Sequence, residues 1–203
     1  GKPGKDIRAA VDFIKALAAR YPVWYANGNH EQRITKHPEE YGVMGEIYDQ
    51  EMKKTGAVRL INEKAKVEIR GIPVTIYGFE PEERYYEKGM RKKGIRKDLE
   101  EQFGAPEKDC YTILLSHHPR YGKEYLDWGA DLTLSGHYHG GVWLLGKQRG
   151  LITPDYRPLA GFCCGMRSRE DSHMIVSAGV GEHTIPIRLH NPREITVIQI
   201  DFS

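Results

Sequence analysis

The apolar residues near the start of the chain recur at the spacing of an amphipathic helix. They return every three or four positions between residues 7 and 18, as Ile7, Ala10, Val11, Ile14, Leu17 and Ala18. This period places them on one face of a helix. Asp6 is suited to cap the start of that helix, and Pro22 is suited to end it. The short apolar run 23–26 predicts a strand, and the polar residues 27–33 predict a loop after it.

The later part of the chain alternates between strand-like and helix-like segments. Residues 46–55 have helical spacing, with Gly56 as a stop signal, and the highly charged stretch 82–103 is also predicted to be helical. A hairpin is expected around Gly71-Ile72-Pro73. Runs with strand character lie at 66–70, 74–79, 111–115, 131–134, 173–177 and 195–202. This order predicts a mixed α/β domain with more than one sheet.

The composition is that of a soluble globular protein. The chain has 203 residues, of which 39% are hydrophobic and 29% charged. This length fits one domain, 1–203, since domains commonly hold roughly 100 to 200 residues. The formal net charge of +2 gives no overall field that would favour a nucleic acid or a membrane. No apolar run approaches the roughly 18 residues that a membrane helix needs.

The cysteines argue against a secreted disulfide framework. There are three, Cys110, Cys163 and Cys164, and two of them are adjacent. An odd number of this kind favours buried thiols, and Cys163 and Cys164 are expected to be core residues. We therefore favour a cytoplasmic location, or one associated with the cytoplasmic side of a membrane. Any targeting sequence would precede Gly1, so the localisation stays unassigned.

The chemistry-bearing residues concentrate after predicted strands. Five of the nine histidines lie there: His30, His117, His118, His137 and His139. Loops that follow strands meet at the carboxyl ends of a sheet, and imidazole is a common ligand for zinc, manganese and iron. A convergent metal site is the simplest explanation. In an extended stretch, His137 and His139 would point the same way. Taken alone, however, this pair leaves a structural reading open.

Three short motifs together resemble a known family. Gly28-Asn29-His30-Glu31, His117-His118-Pro119 and Gly136-His137-Tyr138-His139 are similar to the last three signatures of the calcineurin-like metallophosphoesterases, in family order. The tail, with Pro186-Ile187-Arg188 and Pro192-Arg193-Glu194-Ile195, resembles the phosphodiesterase branch of the YaeI and YkuE type. The resemblance implies a four-layer α/β/β/α sandwich with two mixed β-sheets.

The resemblance also implies roles for individual residues. Asn29, His117 and His137 would ligate the second of two metal ions, and His139 the first. The ions would be manganese, iron or zinc, roughly 3.5 to 4 Å apart. A metal-bound hydroxide would attack phosphorus in line, hydrolysing a phosphodiester or phosphomonoester. His30 would not be a ligand but would donate a proton to the leaving group.

The sequence departs from the family in one respect. The family's Asp-x-His and Gly-Asp-x-x-Asp signatures, which supply further ligands, do not occur in these residues. We expect them on a strand, helix, strand unit before Gly1. If they were truly absent, a non-catalytic scaffold with the same fold would be the alternative. A nuclease of the same superfamily is the other alternative.

Weaker signals concern substrates and partners. A small-molecule or lipid-linked phosphoester is the expected substrate. The basic segment 88–97, beside Tyr85 and Tyr86, suits either a lid that makes peripheral membrane contact or a solvated helix paired with the acidic residues after it. A nucleic acid is disfavoured, and no pattern indicates an obligate protein partner. Arg188 and His183 are candidates for substrate binding, balanced against structural roles. His37, His173 and His190 are assigned to the surface or the core.

Overall fold

The computed structural model describes residues 6–145, 148–153, 158–160, 162–181 and 188–201. The chain divides into two compact units. The first unit comprises residues 1–83 and 107–117, and the second comprises residues 84–106 and 118–203. Each unit is described by itself below.

The described residues of the first unit form four helices and five strands. Its helices are α1 (Arg8–Ala18), α2 (Asn29–Lys36), α3 (Pro38–Tyr41) and α4 (Met44–Lys53). Its strands are β1 (Trp24–Ala26), β2 (Val58–Leu60), β3 (Glu63–Ile69), β4 (Ile72–Phe79) and β5 (Tyr111–Ser116). Strand β1 pairs in parallel with β2. Strand β4 pairs antiparallel with β3 and in parallel with β5.

The hydrophobic pattern explains how these elements pack. Val11 and Ile14 of α1 lie in one buried cluster with Ile34, Tyr48 and Met52 from the other helices. The predicted apolar face of the first helix is thus confirmed at Val11 and Ile14, whereas Ala10 is exposed. The strands form a second cluster around Leu60, Val74 and Ile76. The N-cap residue of α1 is Ile7 rather than the predicted Asp6, although Asp6 accepts a hydrogen bond from the backbone N–H of Arg8 at 2.9 Å.

The predicted hairpin is present, but its turn is shorter than expected. The turn residues are Arg70 and Gly71, with φ values of 52° and 81°. Ile72 and Pro73 already belong to β4, where Pro73 lies opposite Glu68. A two-residue turn with positive φ at both positions matches the twist of paired strands, which explains why the loop tightens.

The described residues of the second unit form two α-helices and two groups of three strands. Helix α5 is Ile95–Phe103 and α6 is Gly122–Trp128, and short 3-10 turns occur at Glu83–Tyr86 and Pro119–Tyr121. The strands are β6 (Leu132–Ser135), β7 (Leu144–Leu145), β8 (Arg149–Ile152), β9 (Pro158–Ala160), β10 (Gly165–Arg169) and β11 (Ser172–Val176). Strand β11 pairs in parallel with β6 and antiparallel with β10. Strands β7, β8 and β9 form an antiparallel group.

Two predicted elements differ from the structure. The stretch 82–103 is not one helix, because a 3-10 turn is followed by irregular backbone until α5 begins at Ile95. Gly89 and Gly94 interrupt it with φ values of 99° and 105°, outside the helical region. The strand expected at 195–202 is also wrong over 195–201, where the backbone forms no strand. A strand is defined by pairing with a neighbour, which a sequence pattern alone does not supply.

The mixed α/β class is confirmed by these elements. The four-layer sandwich with two mixed sheets, and the single domain 1–203, stay predictions. Over the described ranges, no helix has both the length and the apolar character needed to cross a membrane.

Candidate functional site

Each of the three histidine clusters follows a strand, as predicted. Strand β1 ends at Ala26, β5 ends at Ser116 and β6 ends at Ser135, and a motif begins within three residues of each end. One detail differs from the expectation. Residues 27–33 are not a loop, because α2 begins at Asn29 and carries both Asn29 and His30 in its first turn.

The start of α2 is fixed by local hydrogen bonds. Gly28 is the N-cap residue, with an extended backbone. Its N–H donates to the Glu31 carboxylate at 2.9 Å, which stabilises the first turn. Asn29 is buried at 8% exposure, whereas the neighbouring His30 is exposed. The helix thus turns the two residues of the motif toward different surroundings.

A polar network holds the segment that leads into this helix. Asn27 is buried, and its side-chain amide donates to Glu80 at 2.6 Å. Arg59 Nε donates to the amide oxygen of Asn27 at 2.9 Å, and Arg59 Nη1 donates to Asp49 at 2.5 Å. Because buried polar groups that are paired fix backbone position, this network anchors the chain just before Gly28.

The first and second motifs meet at Gly28. A Cβ atom built on Gly28 would lie 3.1 Å from both Nε2 and Cδ2 of the His117 ring. It would also lie 2.8 Å from the Glu31 carboxylate. Only glycine leaves this space open, so the backbone of one motif approaches the imidazole of the other.

The surroundings of His117 keep its imidazole neutral. Desolvation lowers the pKa of His117 to about 4, opposed by the negative charge of Glu31 and reinforced by the nearby His30. At neutral pH the ring therefore retains a lone pair. A neutral imidazole is the form that coordinates a metal ion.

The third motif lies in a left-handed turn, which we call the histidine turn (residues 136–141). The φ values are 62° at His137, 49° at His139, 72° at Gly140 and 78° at Gly141. The N–H of Tyr138 donates to Gly136 O and that of Gly141 to Tyr138 O, each at 2.7 Å. The assumption of an extended stretch is therefore wrong, and so is the alternation that would have pointed His137 and His139 the same way.

This turn is conformationally costly for its two histidines. A left-handed conformation costs a residue with a Cβ atom roughly 1–2 kcal/mol. Such residues persist where the surrounding structure holds them. Two strained histidines in one turn thus indicate that the turn is held by contacts outside it.

Aromatic rings surround His137 within the second unit. The ring centroids of His118 and His137 are 4.5 Å apart at 70°, and those of Tyr86 and His137 are 5.3 Å apart at 71°. Tyr86 also stacks on His118 at 4.8 Å and 9°. His118 is 1% exposed, so it is a core histidine rather than a surface one. The sequence placed His118 among the five clustered histidines without a ligand role of its own, and Tyr86 stood out only as a neighbour of the basic segment.

Asn191 touches the histidine turn directly. Its side-chain amide donates to His139 O and to Gly141 O, both at 2.6 Å. Asn191 is 3% exposed. A Cβ atom on Gly181 would lie 3.1 Å from Cε1 of the His139 ring, so a second part of the C-terminal region also approaches the turn. Asn191 was not predicted from the sequence, since a lone amide in a loop carries no pattern.

Arg188 lies in the same region, and its guanidinium donates hydrogen bonds to backbone carbonyl oxygens. Its guanidinium donates to Ala178 O at 2.8 Å, to Pro192 O at 3.2 Å and to Gly181 O. These contacts favour a structural role, and its proposed contact with substrate stays a prediction. His183 lies outside the described residues, as do Pro186 and Ile187 of the tail motif.

The basic segment is largely paired with acidic side chains. Arg96 pairs with Glu100 at 2.8 Å and Lys97 with Glu101 at 3.2 Å, both at helical spacing. Arg91 pairs with Glu124. The predicted neutralisation by following acidic residues is confirmed, which favours the solvated alternative over a charged lid.

The predicted ligands are of chemical types that can bind a metal ion. Within the described ranges, no group of three or more His, Cys, Asp or Glu side chains is placed to hold a metal. Each unit contains only two of the four predicted ligands, and Asn29 is an amide outside that set. Gly28 beside His117 and Gly181 beside His139 leave space where a Cβ would crowd the ring. Neutral amide oxygen and imidazole nitrogen suit zinc, manganese and iron.

The chain is similar in sequence to several proteins named metallophosphoesterases. The chain is 24% identical over 190 residues to the uncharacterized metallophosphoesterase YkoQ of Bacillus subtilis, covering 94% of this chain and 64% of the relative. It is 34% identical over 90 residues to the uncharacterized metallophosphoesterase YkuE of the same organism, covering 44% of this chain and 31% of the relative. An uncharacterized metallophosphoesterase of Aquifex aeolicus is 37% identical over 92 residues, covering 44% and 33%. The names of these relatives support assigning the chain to the metallophosphoesterase family.

This assignment confirms the resemblance drawn from the three motifs, including the relation to YkuE. No family model matches the chain. No solved structure matches it. The chain spans between 31% and 64% of the length of the three relatives. The residue roles implied by the motifs stay predictions.

Proposed function

We propose that this metallophosphoesterase chain hydrolyses phosphoester bonds in a metal-dependent reaction, acting on a small-molecule or lipid-linked phosphodiester or phosphomonoester. The observation that carries the proposal is the contact at Gly28, where the absence of a Cβ lets the Asn29 motif and the His117 imidazole approach each other. This approach brings the motif that carries Asn29 next to the His117 imidazole, and an amide oxygen and an imidazole nitrogen can both ligate a metal ion. The proposal is consistent with the names of its relatives.

In this proposal, four residues hold two metal ions. Asn29, His117 and His137 bind one ion, and His139 binds the other. When bound, manganese, iron or zinc ions neutralise phosphate charge and lower the pKa of water toward about 7. The amide of Asn29 binds without adding negative charge, so it leaves the cationic character of the site intact. The buried position of Asn29 orients its side chain at the first turn of α2.

His30 is the proton donor in this scheme. It lies one residue after Asn29, and its side chain is exposed, which lets it reach a substrate. A histidine suits this task because it titrates near neutral pH. The N–H groups at the start of a helix favour an anion, so a phosphate group next to the first turn of α2 is electrostatically favoured.

The alternatives are a non-catalytic scaffold and a nuclease. Neither is favoured by a particular contact. For a nuclease, a basic groove with interleaved aromatic rings would be expected, whereas Arg91, Arg96 and Lys97 are engaged in ion pairs. The same pairing weakens the case for a peripheral membrane contact through this segment.

The proposal is tested by metal analysis combined with turnover. Bound metal is measured by elemental analysis, and hydrolysis of bis-p-nitrophenyl phosphate is followed in added manganese. We expect about two ions per chain and a loss of turnover of about 10²- to 10³-fold in His137→Ala. His173→Ala is the matched control in the same unit, because that histidine pairs with Ser168 at 2.7 Å in paired strands.

Three outcomes separate the candidate functions. Metal-dependent turnover that His137→Ala abolishes and His173→Ala spares supports the phosphoesterase. Metal binding without turnover, or neither, in a chain that is folded and includes any residues preceding Gly1 would favour the scaffold. Cleavage of single-stranded DNA at a rate above that of the small phosphodiester would favour the nuclease.

A further inference from the structure

The histidine turn is held by the C-terminal brace, which we define as residues 188–194. Asn191 is the point of contact between the two, because its amide donates one hydrogen bond to His139 O and another to Gly141 O, each at 2.6 Å. The two hydrogens of a single amide thus bridge both sides of Gly140.

The amide of Asn191 packs directly against Gly140 of the histidine turn. A Cβ atom on Gly140 would lie 2.5 Å from Oδ1 and 2.8 Å from Nδ2 of Asn191. Glycine at this position therefore admits Asn191 and also permits the φ of 72°. His137 and His139 have no such freedom, and their left-handed backbone needs support from elsewhere.

The brace is itself fixed at both ends. Leu189 N donates to Val142 O at 2.9 Å, and Leu144 N donates to Leu189 O at 3.0 Å, which ties the brace to the chain following the turn. Arg188 donates to Ala178 O at 2.8 Å. The Glu194 carboxylate accepts the N–H of Ala178 at 2.7 Å. Asn191 is thus presented from a rigid segment rather than from a free loop.

We propose that Asn191 is a positioning residue that sets the backbone of the histidine turn and through it the placement of the His137 and His139 imidazoles. The proposal rests on the proposed function, in which these histidines are metal ligands. Asn191 acts through the turn and does not itself touch the reacting groups. Arg188 supports it by fixing the brace, which assigns the tail a structural task in forming the site.

The first test measures the turn without any metal. Asn191→Asp keeps the size of the side chain but replaces the donating NH₂ with an acceptor that faces two carbonyl oxygens. The N–H of Gly141, bonded to Tyr138 O, should exchange with solvent at least about tenfold faster in the variant, because a locally loosened turn opens more often. The N–H of Ser177, which bonds Ser135 O, should change less than about twofold.

Two further variants control for the chemistry of the change. Gln148→Glu makes the same amide-to-carboxylate change at a side chain that donates to Met166 O at 3.1 Å, an acceptor outside the histidine turn. It should leave the exchange of Gly141 unchanged. Asn191→Ser introduces no buried charge and retains one hydroxyl donor, so it keeps the test informative if Asn191→Asp does not fold. Its effect on Gly141 should be smaller than that of aspartate but in the same direction.

The second test titrates manganese while bis-p-nitrophenyl phosphate hydrolysis is followed. Asn191→Ser should raise the manganese concentration for half-maximal turnover by about tenfold, in the range seen when groups that orient metal ligands are removed. Unchanged exchange at Gly141 in Asn191→Ser and Asn191→Asp would overturn the positioning role. If the wild-type chain turns over, an unchanged manganese dependence in Asn191→Ser would also overturn the positioning role. If the wild-type chain shows no turnover but the Asn191 variants exchange Gly141 N–H faster, the positioning role is supported and the proposed function is refuted.

Discussion

Two segments of this chain present histidines in opposite ways. His30 lies in the first turn of α2, where the backbone is regular and the N–H of Gly28 is satisfied by Glu31 three residues away. His137 and His139 lie in a left-handed turn whose carbonyl oxygens are satisfied by Asn191, about fifty residues along the chain. The first segment is stabilised locally, and the second is stabilised by a distant part of the second unit.

This difference teaches where mutations should act. A helix start depends on its cap and its neighbours in sequence, so distant changes should leave it intact. A strained turn depends on whatever holds it, so changes far away in sequence should disturb it. The residues at risk around the histidine turn therefore include ones that carry no chemistry of their own.

The largest effect is expected at the locally stabilised segment. His30→Ala should lower kcat by about 10² to 10⁴-fold, because it removes the proton donor, while the bound metal content stays that of the wild type. Steady-state kinetics together with elemental analysis measure both quantities. His37→Ala is the matched control at the end of α2, where the imidazole pairs with Glu39 and Glu83 at the surface. Its kcat should stay within about twofold, and loss of metal in His30→Ala would contradict the assignment of His30 as a non-ligand.

An intermediate effect is expected where the first two motifs meet. Gly28→Ala places a methyl group 3.1 Å from the His117 ring and 2.8 Å from Glu31, although the backbone there is extended and free of strain. Overpacking of this kind costs about 1–3 kcal/mol, so manganese-dependent turnover should fall by about tenfold or more. Turnover and urea unfolding are measured side by side.

Gly42→Ala provides the contrast for that variant. A Cβ there meets no atom within 4 Å, but φ is 56°. It should lower the free energy of unfolding by about 1 kcal/mol through backbone strain and leave turnover per folded chain unchanged. Unchanged turnover per folded chain in Gly28→Ala, as in Gly42→Ala, would show that Gly28 acts only through stability.

The smallest effect is expected from the aromatic rings around the histidine turn. Tyr86→Leu removes a ring that stacks on His118 and meets His137 edge-on. Since such aromatic pairs contribute about 0.5–1.5 kcal/mol, kcat should fall by about two- to tenfold. Tyr86→Phe keeps the ring and both ring contacts and should stay close to wild type. A phenylalanine variant as impaired as the leucine variant would assign the effect to the hydroxyl rather than to ring packing.

Particular residues show how far sequence reasoning reaches. The positions of β1, β5 and β6 were predicted from apolar runs, because a strand needs only a few residues of suitable character. The motifs after these strands led to the family, which the relatives confirm. The left-handed backbone at His137 and His139 was not predicted, since a residue with a Cβ atom gives no signal for a positive φ. Asn191 and Tyr86 were missed because their roles depend on residues distant along the chain.

The sequence by itself determined the order of strands and histidine motifs and, through them, the metallophosphoesterase family. These features reside in local periodicity and in short ordered signatures. Only the tertiary structure decided that Gly28 leaves room for the His117 ring and that Asn191 holds the histidine turn. Both depend on contacts between segments far apart along the chain, where the distance between two atoms is set by packing rather than by the residues next to them.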